Sequence, residues 1–264
     1  MYLWYCNKFV MIISIANQKG GVGKTTTAVN LSASVAVSEK KTLIIDMDSQ
    51  SNTTSGFGIS HNAAYDHIYH VMIGERDIRE VIQKTDVPFL DIIPAHPDLI
   101  GVEVELLDTQ EREFKLKNVL ESLEDTYQYI FIDCPPSLGL LTINSLAASD
   151  YVIIPLQCEY FALEGLAMLL KTISILQRKL NPKLEVMGIL LTMFDRRNNL
   201  SFRVWEEVNK CFSDTVFKTV IPRNVKLSES PSHGKPALLY DISSTGAESY
   251  LRLASEIFEK RNGH

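Results

Sequence analysis

Short runs of β-branched and aromatic residues recur along the chain, separated by longer stretches in which apolar positions return every three or four residues. The short runs predict strands over residues 12–17, 42–46, 90–94, 129–133, 151–155, 186–192 and 216–221. The longer stretches predict helices over 25–37, 97–107, 112–123, 163–180, 201–212 and 246–260. Strands such as TLIID and YIFID are apolar almost throughout instead of alternating, the pattern of a strand covered on both faces. Strands and helices in alternation predict an α/β, doubly wound fold with a mostly parallel sheet between two helical layers. No Gly/Ser linker, repeat or low-complexity tract divides the pattern. One domain over residues 12–264 is expected, after an N-terminal extension of residues 1–11 in which Met11 is an alternative start.

Composition narrows the class. The 264 residues are 45% hydrophobic and 22% charged, as in an ordinary soluble globular protein. The net charge of −6 excludes a surface that is basic all over. Between Arg196 and Lys235, however, eight basic residues face four acidic ones, a local charge of +4 that leaves −10 for the remainder. Such polarity suits a polyanion-binding face and suits an ordinary solvated face equally well. Cys6, Cys134, Cys158 and Cys211 stand far apart without a CxxC pair, which reads as buried structural thiols in a reducing compartment. The apolar opening MYLWYCNKFV lacks the basic lead and small-residue cleavage site of a secretory signal, and no run reaches the ~20 apolar residues of a bilayer span. A cytoplasmic protein is expected.

The chemistry concentrates in NQKGGVGKTTT, Asn17 to Thr27, between a predicted strand and a predicted helix. That context makes a phosphate-binding loop. Gly20, Gly21 and Gly23 let backbone N–H groups approach phosphate oxygens, and the helix N-terminus adds a favourable dipole. Lys24 is placed to neutralise terminal phosphates, and Thr25 to offer a hydroxyl to magnesium. The pattern GxxxxGK[ST] is not met, because Gln18 occupies its first glycine and a second lysine, Lys19, precedes the glycines. Two strand ends supply candidate carboxylates for the metal sphere and the attacking water of phosphoryl transfer: Asp48, on the loop after the strand that stops near Asp46, and Asp133 after YIFI; Asp46 itself is given no catalytic role.

The variant loop KGGVGKT, together with PLQCEYFALEGL, GILLTMFDRRNNL and VIPRNVKLSESPSHGKP, resembles the ParA/Soj/MinD ATPases from about Ile12 to Lys260. That resemblance implies an ATPase with a deviant Walker A loop, binding ATP or ADP and Mg2+ and hydrolysing ATP with water. It places the nucleotide against Gly20, Gly21, Val22, Gly23, Lys24, Thr25 and Thr26, with Pro222 and Asn224 near the base. It makes Lys24 the lysine acting on its own nucleotide, and Lys19 the one that reaches across a two-fold interface to the partner's nucleotide. Asp48 would position water, Asp133 would hold magnesium through water, and Asp46 is read as a strand-end residue with local hydrogen bonds. Ser49 stands where the family usually carries proline, which frees the backbone of that loop. EYFALEG would pack at the dimer interface or in the core.

The resemblance further implies an ATP-dependent homodimer that binds DNA non-specifically, with Arg197, Arg223 and Lys226 as candidate phosphate contacts. A ParB/Spo0J-like protein would stimulate slow hydrolysis, in the service of chromosome or plasmid segregation, with the protein nucleoid-associated. The short lead before Asn17 leaves no room there for a separate operator-binding domain. A MinD-like membrane regulator is the alternative. It needs a basic amphipathic C-terminal helix, whereas Leu251, Leu253, Ala254, Ile257 and Phe258 form a stripe diluted by Glu248, Glu256 and Glu259. A nitrogenase-type reductase shares the loop but requires cluster thiolates that Cys134 and Cys158 are not set to provide.

Overall fold

A computed structural model describes residues 10–60, 65–159 and 162–262. Seven strands form one sheet: β1 (Met11–Ile15), β2 (Thr42–Asp46), β3 (Gln83–Lys84), β4 (Leu90–Ile93), β5 (Tyr129–Asp133), β6 (Tyr151–Gln157) and β7 (Glu185–Thr192). Their order is β3-β4-β2-β5-β1-β6-β7, all parallel except the short edge strand β3, which is antiparallel to β4. Met11, assigned from the sequence to the extension, is the first residue of β1 and pairs with Tyr129.

Successive residues of each central strand enter opposite cores, as the two-residue period of a strand requires. Ile12, Leu43, Ile45, Ile130, Ile132 and Val152 point into one core, and Ile13, Ile44, Phe131 and Ile153 into the other. Helix α1 (Lys24–Ala36) fills the second core with Ala28, Leu31, Ala33, Val35 and Ala36, and is joined there by Tyr250, Leu253 and Ile257 of the last helix, Thr245–Asn262. Helices Leu140–Ala148, Ala162–Lys179 and Asn199–Phe212 cover the first core. Each fully buried Ile or Leu of these layers contributes roughly 1.5–3 kcal/mol relative to exposure. The chain winds from β1 toward β2 on one side and crosses from β5 over β1 to β6 on the other, and the C-terminal strand ends at this reversal form the crevice where such sheets bind ligands.

Four expectations are corrected. The expected strand over 216–221 is not a strand: it makes isolated bridges, Val216 to Ile189 and Pro222 to Phe194. The backbone N–H groups of Lys218 and Thr219 instead donate to the Glu256 carboxylate at 3.0 and 2.7 Å, a side-chain competitor for the ladder. The Phe217 ring sits over Gly188, where a Cβ would come within 2.4 Å of it. The expected helix over 97–107 is a 3-10 turn, Pro97–Gly101, followed by one α turn, Val102–Glu105, and the helix over 112–123 keeps α geometry only at Lys115–Leu120. Cys211 is exposed, whereas Cys134 and Cys158 are buried. Cys6, Tyr160 and Phe161, and with the latter two the interface reading of EYFALEG, lie outside the described residues.

Candidate functional site

The loop between β1 and α1 is held from both sides. The Asn17 amide donates to the Pro155 carbonyl at 2.7 Å and accepts from the Lys19 N–H at 3.0 Å, and Thr192 Oγ1 donates to the Val22 carbonyl at 2.8 Å. Gly21 and Gly23 adopt left-handed φ of 73° and 87°, a conformation that admits glycine with little strain. A Cβ on Gly20 or Gly21 would meet nothing within 4 Å, so the space beside the loop is open to a ligand. Lys24 is buried and curls back so that Nζ donates to the Lys19 carbonyl at 3.2 Å. Burial holds its ammonium below the ordinary lysine range, with Asp133 pulling in the other direction. Lys19 does the reverse: its side chain is half-exposed and pairs with Glu159, outside the cradle.

Strand register brings the carboxylates together. Asp46 and Asp133 are directly paired across β2 and β5, and both are fully buried. Asp133 Oδ2 accepts from Thr25 Oγ1 at 2.9 Å and from Thr53 Oγ1 at 2.7 Å. Asp46 Oδ2 accepts from the Thr54 N–H and Oγ1 at 2.9 and 2.7 Å, and its Oδ1 from the Asp48 N–H at 3.1 Å. Asp48 in turn accepts the Gln50 N–H at 3.0 Å. The loop after β2 is therefore wrapped around Asp46 and enters helix α2 (Asn52–Gly56) through Ser51 at φ 51°. These bonds pin the backbone that the Ser49 substitution was expected to free.

Burial, and then mutual repulsion, raise the pKa of Asp46 well above the ordinary carboxylate range. Burial does the same to Asp133, although the hydroxyls of Thr53 and Thr25 and the Lys24 ammonium oppose it. Asp133 Oδ1 is buried without a hydrogen-bond partner. An orphaned acceptor on a buried like-charge pair, with a threonine hydroxyl beside it, fits a hydrated divalent cation. Burial pushes the thiols of Cys134 and Cys158 up to about 12, so neither is a thiolate ligand at neutral pH.

Beside the cradle, a cavity of about 510 Å³ is lined by Gly23, Thr26, Pro222, Asn224, Leu227 and Tyr250, a volume that suits a small ligand. It joins residues far apart in the sequence, because the 221–231 segment folds back against α1. The Asn224 amide is already engaged: it caps helix Val225–Glu229 through the Lys226 N–H at 2.9 Å and donates to Thr245 Oγ1 at 2.8 Å. Pro222 and Asn224 both line the cavity.

The family described as an AAA domain (AAA_31) matches residues 10–186. Over 249 residues the chain is 54% identical to the chromosome partitioning protein ParA of Myxococcus xanthus, covering 94% of this chain and 88% of that protein. It is 56% identical over 246 residues to the sporulation initiation inhibitor protein Soj of Bacillus subtilis, covering 93% and 97%. The chain belongs to the ParA/Soj family of partitioning ATPases. Solved structures agree on the ParA/MinD-type fold. A cobyrinic acid a,c-diamide synthase of Mycobacterium smegmatis with bound ADP and magnesium superposes with a TM-score of 0.85 at 32% identity, over 97% of each chain. The MinD protein of Pyrococcus horikoshii complexed with Mg-ADP gives 0.78 at 26%, over 94% and 96%.

Within this ParA/Soj chain the structure gathers Gly20 to Thr26, Asp48 and Asp133 at one crevice, with Pro222 and Asn224 at its side. Arg223 lines the same cavity. Arg197 and Lys226 lie on the surface, where Arg197 holds Asp195 with two bonds of 3.1 and 3.0 Å and Lys226 holds Glu229 at 3.1 Å. Sequence reasoning missed Thr53, Thr54 and Thr192. Their signal was present as paired hydroxyls in SNTTS and as the threonine closing β7, but assigning them requires knowing which strands are neighbours.

Proposed function

We propose that this protein is an ATP-gated switch for segregating chromosome or plasmid DNA. Residues 12–264 act as one ATPase domain. Two copies face each other across their phosphate loops, each holding ATP. Thr25, and Asp133 through water, hold Mg2+, which when bound neutralises charge on the phosphates. Asp48 orients water for attack at the terminal phosphorus, releasing ADP and phosphate. Lys24 neutralises the nucleotide of its own chain and Lys19 that of the other, so hydrolysis depends on association as it does with an arginine finger. The ATP dimer grips DNA phosphates through Arg197, Arg223 and Lys226 without reading bases. A ParB/Spo0J-like partner accelerates hydrolysis and so release, in a cytoplasmic, nucleoid-associated cycle.

The observation that carries this reading is the opposite disposition of the two lysines. Lys24 is buried in its own cradle, while Lys19 sits half-exposed and directed away from it. A membrane-anchored cycle that uses the last helix is disfavoured, because its Leu253, Ala254 and Ile257 are buried in the second core. Mass photometry with ADP, with ATP, and with ATP plus Lys19→Ala tests the proposal. Dimers are expected only for the lysine-intact protein in ATP. Solitary copies in saturating ATP, in a variant that cannot hydrolyse it, would refute the switch.

A further inference from the structure

Away from the phosphate loop, His67, His96 and Asp98 each bring one potential metal-binding atom to within 4.8 Å of the other two. His67 comes just before the short helix Ile68–Ile73, while His96 and Asp98 belong to the segment after β4. The two segments are already fastened together: the Ile68 N–H donates to the Pro94 carbonyl at 3.0 Å, and the Tyr65 hydroxyl to the Ala95 carbonyl at 3.3 Å. The His67 and His96 rings stack with centroids 4.7 Å apart. Contacts that need no ligand thus hold the three groups close, which limits the ordering cost of binding one.

Two features of this cluster lack a partner within the protein. His67 is 3% exposed, and its Nδ1 is buried without a hydrogen bond. The neighbouring His70 supplies none: its N–H donates to the His67 carbonyl at 3.0 Å, and its Nδ1 is taken by the His67 N–H at 3.2 Å. A buried polar atom left unpaired in this way calls for a water or an ion. The second feature is at His96, whose Nδ1 accepts the Asp98 N–H at 3.3 Å and so turns a lone pair toward Asp98 Oδ2, 3.0 Å away. Two acceptors at that distance need a positive group beside them. A proton on His96 would answer that pair alone, whereas a cation answers His67 as well.

We propose that His67, His96 and Asp98 form a binding site for a late first-row divalent cation, with Zn2+ as the best match. Imidazole nitrogens select such ions over Mg2+ and Ca2+, which prefer oxygen shells, and two imidazoles with one carboxylate are a donor set that zinc takes. Three protein ligands leave a position for water, which makes this an exchangeable site instead of a closed structural one. The exposures provide the entry path: the Asp98 side chain is 63% exposed and that of His96 28%, while His67 closes the back. Once bound, the ion ties the segment after α2 to the segment after β4 and stabilises the folded chain by mass action. The site shares no residue with those assigned to ATP.

The test titrates the full chain with Zn2+ by calorimetry in saturating Mg-ADP and excess Mg2+, which keeps the nucleotide crevice filled, after the exposed thiols have been alkylated. Co2+ serves as a visible-absorbance probe of ligand type. The wild type is expected to take a single Zn2+, and its Co2+ form to show d–d bands without thiolate charge transfer. His96→Gln and Asp98→Asn should each weaken Zn2+ binding by ~10-fold or more, the scale on which disturbing a metal site shows. Binding of a fluorescent nucleotide checks that each variant is folded, and if His96→Gln fails that check, Asp98→Asn decides. A zinc-induced rise in thermal midpoint should accompany binding in the wild type and be lost in the variants. No zinc binding by the alkylated wild type overturns the proposal, because the ion would then belong to the cysteines. Equal zinc affinity in wild type and the folded variants overturns it as well.

Discussion

The carboxylates at the ends of β2 and β5 and the basic stretch from Arg196 to Lys235 carry opposite charges, and the fold handles them in opposite ways. Asp46 and Asp133 are sealed from solvent side by side, held by hydroxyls and N–H groups from α1, α2 and the loop between β2 and α2. Arg197 and Lys226 stand at the surface, each neutralised by a carboxylate two or three residues away. Inside the protein the two carboxylates repel each other, with the Lys24 ammonium in partial opposition at Asp133. Attraction outside is already satisfied, so an incoming phosphate must displace an internal partner and gains little per residue. Burial thus concentrates charge at one site, whereas surface pairing spreads and neutralises it.

The largest expected effect tests the buried half. Asp133→Asn should lower ATP hydrolysis by about 100-fold or more, as expected when a group that organises charge in the transition state is removed. The same change should stabilise the ligand-free protein by about 1 kcal/mol, because it removes one member of a buried like-charge pair. The sign of the pH dependence follows from the raised pKa values. Between the ordinary carboxylate range and the raised one, the folded protein holds a proton that the unfolded chain has lost. Stability contributed by the pair therefore falls as pH rises through that window, and is flat above it. Thermal melts of wild type and variant without magnesium, compared point by point across the window, should differ most at the upper end. A difference that shrinks as pH rises would break the contrast between the two regions.

How far this was legible in the sequence depends on the kind of constraint. Gly21, Gly23, Lys24 and Thr25 were readable because a phosphate cradle demands particular residue types in consecutive order. The central strands were readable because burial on both faces leaves them apolar throughout. The pairing of Asp46 with Asp133 was not, since both ended visible strands but only the strand order makes them neighbours. Thr53 acquires its role from that pairing and was missed with it. The 216–221 segment has the composition of a strand, yet Glu256 from the last helix takes two of its N–H groups, a long-range competition invisible to periodicity. Helix Leu140–Ala148, LLTINSLAA, was overlooked because Leu141, Thr142, Asn144, Ser145 and Leu146 are all buried, which erases the amphipathic signal.

The exposed half is tested by salt. Arg197→Glu and Lys226→Glu should each weaken DNA retention of the ATP-bound protein by roughly 10-fold at low salt, and each should reduce the slope of log affinity against log salt by about one. ATP binding should be unchanged, because neither side chain reaches the cradle. Their present partners sharpen the comparison: Asp195→Asn and Glu229→Gln, which release Arg197 and Lys226, should strengthen DNA retention by a few-fold. Weaker retention in these two variants would mean that the ion pairs shape the DNA face instead of competing with it.

A single hydroxyl separates the regions most cleanly. Thr53→Val keeps nearly the same shape and removes one of the two hydroxyls on Asp133 Oδ2. Losing a hydrogen bond to a buried charged group should cost about 1–2 kcal/mol, read as a lower urea midpoint. Part of that loss is recovered at mildly acidic pH, because a carboxyl with one donor fewer is protonated more readily in the folded state. The destabilisation should be the same at 0.05 and 0.5 M salt, since screening by mobile ions does not reach a fully buried contact, whereas every effect at Arg197 and Lys226 should fade over that range. A midpoint shift that disappears at high salt would place Asp133 in contact with solvent. The orphaned Oδ1 would then have water as its partner, and the argument that this pair of carboxylates awaits a cation would lose its footing.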